Sequence, residues 1–170
     1  MSESSFEKQV SEFQRYLVSE RNLSTNTIQG YQRDLNQLQR FCGKQGIRRW
    51  PDLNKKDIRD FSAECFERGL APTSIRRMLA SIRTFLNFLV REQHIESNPA
   101  VGVHAPKSGK KLPSTLDADQ IKQLIEIKGE KWIDYRDRAM LELLYSSGLR
   151  LSELVNLDDQ HIDLKGALVR

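Results

Sequence analysis

Ala139-Met140-Leu141-Glu142-Leu143-Leu144-Tyr145-Ser146-Ser147-Gly148-Leu149-Arg150-Leu151-Ser152-Glu153-Leu154 spells out a helix, a stop and the start of a second helix. The apolar spacing through Tyr145 predicts a buried, amphipathic helix. Gly148 supplies a left-handed stop. Ser152 is placed to cap the next short helix, with Glu153 in its first turn. Arg150 is therefore expected in a tight connection between two packed helices. A guanidinium held on such a loop is suited to gripping a phosphate through two parallel hydrogen bonds. On spacing alone, pairing with a nearby carboxylate or facing water is the commoner fate of such an arginine.

Upstream, four more helical patterns fill residues 1–97. Phe6, Val10, Phe13 and Leu17 recur at helical spacing. Ser24 caps a run with Ile28, Tyr31, Leu35, Leu38 and Cys42 on one stripe. Asn54 caps a third run with Ile58, Phe61 and Cys65, closed by Gly69. Pro72 suits the first turn of a fourth, which turns Ile75, Met78, Leu79, Ile82, Phe85, Leu86 and Leu89 inward. None of these helices is stable alone, so the expected fold is mainly α, a bundle of four to five helices. Trp50, beside Pro51, is expected to pack a loop onto that bundle, and Trp132 to do the same in the second unit.

The periodicity lapses over residues 98–113, where Pro99, Gly102, Pro106, Gly109 and Pro113 alternate with Lys107, Lys110 and Lys111. This is the composition of an extended, basic, poorly packing linker. A second unit is expected over residues 114–170, with Asp117 capping one short helix and Asp134 starting the helix that leads to Gly148. Ile162-Asp163-Leu164-Lys165-Gly166-Ala167-Leu168-Val169 reads as a strand, a turn and a return strand, an unfinished hairpin. An apolar strand with nothing to cover it predicts the front part of a longer protein.

Composition narrows the class of partner. The net charge of +4 is unevenly spread: residues 1–111 hold 19 Lys and Arg against 12 Asp and Glu, residues 112–170 hold 8 against 11. A basic first part is suited to a polyanion. No apolar run approaches the ~20 residues of a membrane span, and Met1-Ser2-Glu3-Ser4-Ser5 lacks the regions of a signal peptide. Cys42 and Cys65 show no metal-ligand spacing and read as reduced thiols, so a cytoplasmic location without membrane contact is expected. No glycine-rich phosphate loop, zinc pattern or Gly-x-Ser-x-Gly turn is present, and His94, His104 and His161 are scattered. Neither a metal nor a cofactor is called for by these motifs.

The placement of the basic residues is more specific. On the fourth helix the side opposite the apolar stripe holds Thr73, Arg76, Arg77, Ala80, Arg83, Thr84, Asn87 and Arg91, with no acidic residue. Solvated faces ordinarily mix both signs. Small residues let a helix lie close in a major groove, where Arg reaches guanine edges or phosphates and Asn reaches adenine. On the second helix Thr25, Asn26, Gln29, Gln32, Arg33, Asn36, Gln37 and Arg40 lie opposite Ile28 and Leu35. The candidate contacts to duplex DNA are therefore Thr25, Gln29, Arg33, Asn36, Arg40, Thr73, Arg76, Arg77, Arg83, Asn87 and the linker cations Lys107, Lys110 and Lys111. No aromatic ladder for stacking single-stranded bases is evident.

The segment Tyr135-Arg136-Asp137-Arg138 through Gly148-Leu149-Arg150-Leu151-Ser152-Glu153-Leu154 resembles the first catalytic box of the tyrosine recombinases, and more narrowly the bacterial Xer type. Asn98-Pro99-Ala100-Val101-Gly102-Val103-His104-Ala105-Pro106-Lys107 and Leu112-Pro113 resemble the linker of the C-type member of the Xer pair, and the similarity also takes in Leu23-Ser24 to Leu35. The resemblance implies a SAM-like, core-binding DNA clamp followed by the start of a catalytic domain. It implies breakage and rejoining of duplex DNA at a specific site, through a 3′-phosphotyrosyl link, without metal or cofactor. Arg150 would be the first of two phosphate-clamping arginines and Glu153 an accessory to the site; Glu153 equally suits a helix cap. The family's lysine, His-x-x-Arg pair and nucleophilic tyrosine find no match, since Tyr16, Tyr31, Tyr135 and Tyr145 all stand elsewhere. The chain alone is thus expected to cut nothing. A D-type partner in a heterotetramer, and resolution of chromosome dimers at cell division, are further implications. Phage and integron integrases share the pattern. A non-catalytic DNA-binding module that regulates a full-length enzyme, or a helical interaction domain, would use the same helices.

Overall fold

In a computed structural model the described residues are 5–107, 115–163, 165–166 and 168–169. The chain divides into two compact units, residues 1–110 and 111–170.

The first unit is built from α1 (Ser5–Ser19), α2 (Thr25–Lys44), α3 (Lys55–Glu67) and α4 (Pro72–Arg91), with a 3-10 turn at Trp50–Asp52. Their boundaries follow from local chemistry. The Ser24 hydroxyl accepts the Thr27 N–H at the start of α2. At α3 the Asn54 side chain accepts the N–H groups of Lys56 and Asp57, while Asp57 reaches back to the Asn54 N–H. Pro72 opens α4, where a missing N–H costs nothing.

α4 packs against α1, α2 and α3 and is the spine of the bundle. Its buried side includes Ile75, Met78, Leu79, Ile82, Phe85, Leu86, Phe88 and Leu89. Phe13 of α1 is fully buried, with ring centroids 5.2 Å from Phe85, 5.3 Å from Phe88, 5.6 Å from Tyr31 and 6.1 Å from Tyr16. Burying a side chain of this size contributes on the order of 1.5–3 kcal/mol. Trp50 does pack its loop onto the bundle: its ring is buried edge-on between Phe6 (4.3 Å) and Phe85 (4.9 Å).

Two expectations need correction here. The segment after α4 is not loosely packed from its first residue. Ala100 and Val103 are buried in the core cluster, and the Asn98 amide donates to the Arg83 carbonyl (3.0 Å) and to Asn87 Oδ1 (2.6 Å). Burial of two apolar side chains and satisfaction of a carbonyl outweigh the extended bias of the prolines. Trp132 does not pin down a loop, since it is 71% exposed and lies under Arg136 at 5.2 Å.

The second unit contains α5 (Ala118–Ile125), α6 (Trp132–Ser147), α7 (Leu151–Val155), a 3-10 turn at Asp159–His161, and a short antiparallel pair, β1 (Ile162–Asp163) with β2 (Leu168–Val169). Asp117 and Gln120 cap α5 reciprocally. α6 starts two residues before Asp134, whose carboxylate accepts the Lys131 N–H as a third-position cap rather than a first. The Asp163 side chain accepts the Lys165 and Gly166 N–H groups and so forms the turn between the strands. No residue of α5, α6 or α7 is buried. The prediction that the helix before Gly148 is buried therefore fails. Its apolar spacing is real, but Met140 and Tyr145 meet no covering layer among the described residues.

Candidate nucleic-acid interface

α2 and α4 lie side by side, and an open groove of about 520 Å³ runs between them, lined by Gly30, Tyr31, Arg33, Arg77, Ala80 and Thr84 among others. Gly30 and Ala80 leave its walls low. Arg33 enters from one helix and Arg77 from the other, so two residues singled out separately in the sequence meet at one feature.

The remaining candidates divide by what already holds them. Thr25, Gln29, Arg33 and Arg40 of α2 and Thr73 and Arg76 of α4 are exposed. Asn36 is half-buried and accepts a hydrogen bond from Gln32 Nε2 at 2.8 Å. Arg83 is half-buried and donates to the Val103 carbonyl at 3.2 Å, and Asn87 is exposed but bonded to Asn98. Lys107 is exposed, whereas Lys110 and Lys111 lie outside the described residues.

Arg77 departs most from expectation. The α4 face has no acidic residue of its own, yet α2 sends one beneath it. Asp34 is fully buried, and its two carboxylate oxygens accept from Arg77 Nη1 at 2.7 Å and Arg77 Nη2 at 3.0 Å. Ser81 Oγ donates to the same carboxylate at 2.7 Å. Asp34 and Ser81 are not among the sequence candidates because both lie on the buried sides of their helices. The signal was nonetheless present: Asp34 interrupts the apolar stripe between Tyr31 and Leu38, and Ser81 follows Met78 on the inward side of α4.

In the second unit, α6 ends at Gly148 with φ of 67°, the left-handed stop foreseen for it. The position before α7 is taken by Arg150, not by Ser152. Glu153 explains the difference: its Oε2 accepts the Arg150 backbone N–H at 2.8 Å, starting the helix before Ser152 is reached. Its Oε1 accepts from Arg150 Nη1, also at 2.8 Å. Those backbone and side-chain hydrogen bonds hold the Glu153 carboxyl below the usual glutamate range. The Arg150 side chain is 81% exposed, so most of its five N–H donors point away from that pair. Among the described residues no group of three His, Cys, Asp or Glu could hold a metal ion, and no helix is long and apolar enough to cross a membrane.

Two families match the chain in tandem: Phage integrase, N-terminal SAM-like domain, over residues 10–93, and Phage integrase family, over residues 114–170. Tyrosine recombinase XerC of Salmonella typhi is 41% identical over 164 residues, which is 96% of this chain and 55% of that protein. The chain belongs to the tyrosine recombinase family. A second relative, the XerC of Pseudomonas aeruginosa strain LESB58, is 45% identical over 159 residues, 93% of this chain and 52% of its own. The chain thus spans about half the length of the curated relatives it matches. Among solved structures, a lambda integrase dimer bound to a COC′ core site aligns with TM-score 0.71 and 19% identity, covering 92% of this chain and 43% of that one. The Tn1549 transposon integrase in complex with a circular intermediate DNA aligns with TM-score 0.72 and 20% identity, covering 91% and 49%. At such identities the likeness is one of fold.

Proposed function

We propose that this chain is the leading half of a C-type Xer recombinase, a cytoplasmic enzyme that breaks and rejoins duplex DNA at a specific site. Residues 1–97 would grip the duplex, residues 98–113 would connect, and residues 114–170 would begin the catalytic domain. The observation that best supports this reading is the α2–α4 groove, where Arg33 and Arg77 converge between low walls in a chain so similar to XerC proteins.

In the parent enzyme a tyrosine hydroxyl attacks the scissile phosphorus, the bond to the 5′ oxygen breaks, and a 3′-phosphotyrosyl link remains. The 5′-hydroxyl of a partner strand then reverses the step, so bond energy is conserved without a nucleotide cofactor. Arg150 would stabilise charge growing on the nonbridging oxygens, with Glu153 fixing its loop. A D-type partner in a heterotetramer, and chromosome dimer resolution, belong to the same proposal.

A salt titration of duplex DNA binding tests the grip. Each phosphate contact adds about 0.9 to the slope of log affinity against log salt, or about 3-fold over a fourfold change in salt. Arg33→Ala and Arg76→Ala should each remove about one such contact. No binding at low salt, or a slope unmoved by both changes, refutes the reading. In the full-length polypeptide, Arg150→Ala should lower strand exchange by roughly 10²-fold or more.

A further inference from the structure

Asp34 is an expensive residue to place where it is. A buried carboxylate is tolerated only when its charge and lone pairs are met, and here three donors from α4 meet them. The compensating cation is not itself buried: the Arg77 side chain is 58% exposed, against 1% for Asp34. The pair is therefore built with its acidic end in the core and its basic end at the mouth of the groove.

Two consequences follow for Arg77. First, the fork of two terminal nitrogens is pinned to a rigid floor, which fixes the plane and direction of the guanidinium. Of its five N–H donors, the Nε–H and one on each terminal nitrogen remain, all in that fixed plane. Second, the charge is already balanced at contact distance. A balanced arginine adds little to the long-range attraction of a polyanion, which depends on net charge and counterion release. It keeps directional donors, and direction is what base-edge recognition uses. Arg33 and Arg76 form no ion pair with a described residue in the structure, and so they have the opposite character.

The geometry points to Arg77 as a base-reading residue of the α2–α4 groove, aimed by the carboxylate of Asp34 and the hydroxyl of Ser81, and not as one more phosphate-neutralising cation. Asp34 and Ser81 are positioning residues. The low wall at Gly30 and Ala80 lets base edges approach, and the matching chemistry is the paired acceptors on the major-groove edge of guanine. This inference rests on the DNA-binding reading above.

The test uses the full chain and a pool of short duplexes randomised in sequence, recovered by binding and sequenced. The wild-type chain should enrich sequences with a fixed guanine. Enriched and scrambled duplexes are then compared across salt for three proteins. The double variant Asp34→Asn/Arg77→Gln keeps the local net charge and replaces the ion pair with neutral amides. It should lose about 10-fold in discrimination with an unchanged salt slope. Asp34→Asn alone releases the Arg77 charge, so the slope should steepen by about 0.9 while discrimination falls. Arg76→Ala should do the reverse, flattening the slope and leaving discrimination intact. Far-UV circular dichroism and urea melting check folding. If Asp34→Asn does not fold, Ser81→Ala, which removes one donor to the carboxylate, should still lower discrimination several-fold. A slope that drops by about 0.9 in the double variant, or discrimination that survives it, overturns the proposal. So does a wild-type chain that retains duplexes without enriching any sequence. A wild-type chain that retains no duplex even at low salt overturns the DNA-binding reading itself, and this inference with it.

Discussion

Phe13→Ala is the substitution that most directly tests how α2 and α4 are held together. Phe13 is wholly buried, and its ring meets Tyr31 of α2 and Phe85 and Phe88 of α4. Removing a buried phenyl group ordinarily costs about 3–5 kcal/mol, and the edge-on partners place this site in the middle of that range or above it. With a urea dependence of about 1–2 kcal/mol per molar, a loss of about 4 kcal/mol lowers the unfolding midpoint by about 2–4 M. Trp50 is a natural reporter. Its ring is buried against Phe6 and Phe85, so its fluorescence follows the first unit, whereas Trp132 is already 71% exposed and changes little. Val18→Ala on the same helix is the control, because Val18 is 57% exposed and surface changes stay within about 0.5 kcal/mol. A fall of less than about 1 kcal/mol for Phe13→Ala, where about 3 is the expected minimum, would show that the rings around Phe13 do not clamp α2 to α4.

Other outcomes are equally specific. Gly148→Ala should destabilise the α6–α7 connection by about 1–2 kcal/mol through backbone strain alone, because φ is +67° and the space a Cβ would enter is open; amide hydrogen exchange across α6 and α7 would report it. The Glu153 carboxyl, held below its usual range by the Arg150 backbone and side chain, favours the folded state above the ordinary glutamate range. That contribution is lost as pH falls through the depressed folded value. Arg150→Ala should raise the titration midpoint part of the way, followed by carboxyl carbon shifts in NMR, and no movement would contradict the pair. Burial, with a smaller contribution from the Asp57 charge, pushes the Cys42 thiol up to about 12, and burial also raises Cys65. Alkylation at mildly alkaline pH should therefore be slow in the native protein and fast in urea; rapid native labelling would refute the burial of both.

Legibility in the sequence followed the range of the interaction. Ser24, Asn54, Pro72, Asp117 and Gly148 act within a turn of themselves, so their roles at helix ends could be read from neighbours in the chain. The inward stripe of α4 was equally plain, because seven apolar residues from Ile75 to Leu89 repeat one period; Phe88, buried beside them, stands off that period. What escaped were interactions between elements. The ion pair between Asp34 and Arg77 joins positions 43 residues apart, and a helical wheel drawn one helix at a time cannot display it. Asn98 and Val103 looked like linker because Pro99 and Gly102 dominate the local composition, while their partners, Arg83 and Asn87, lie on the preceding helix. Ser152 lost the cap to Arg150 because a long-armed Glu153 satisfies the backbone one turn earlier.

The Asp34–Arg77–Ser81 junction also constrains how this protein can drift over generations. Replacing the arginine alone strands an anion in the core; replacing the aspartate alone leaves a guanidinium loose at the groove. Lineages that abandon the arrangement should therefore change both ends together, passing through few viable single steps, and positions 34 and 77 should covary more tightly than any other pair linking α2 with α4.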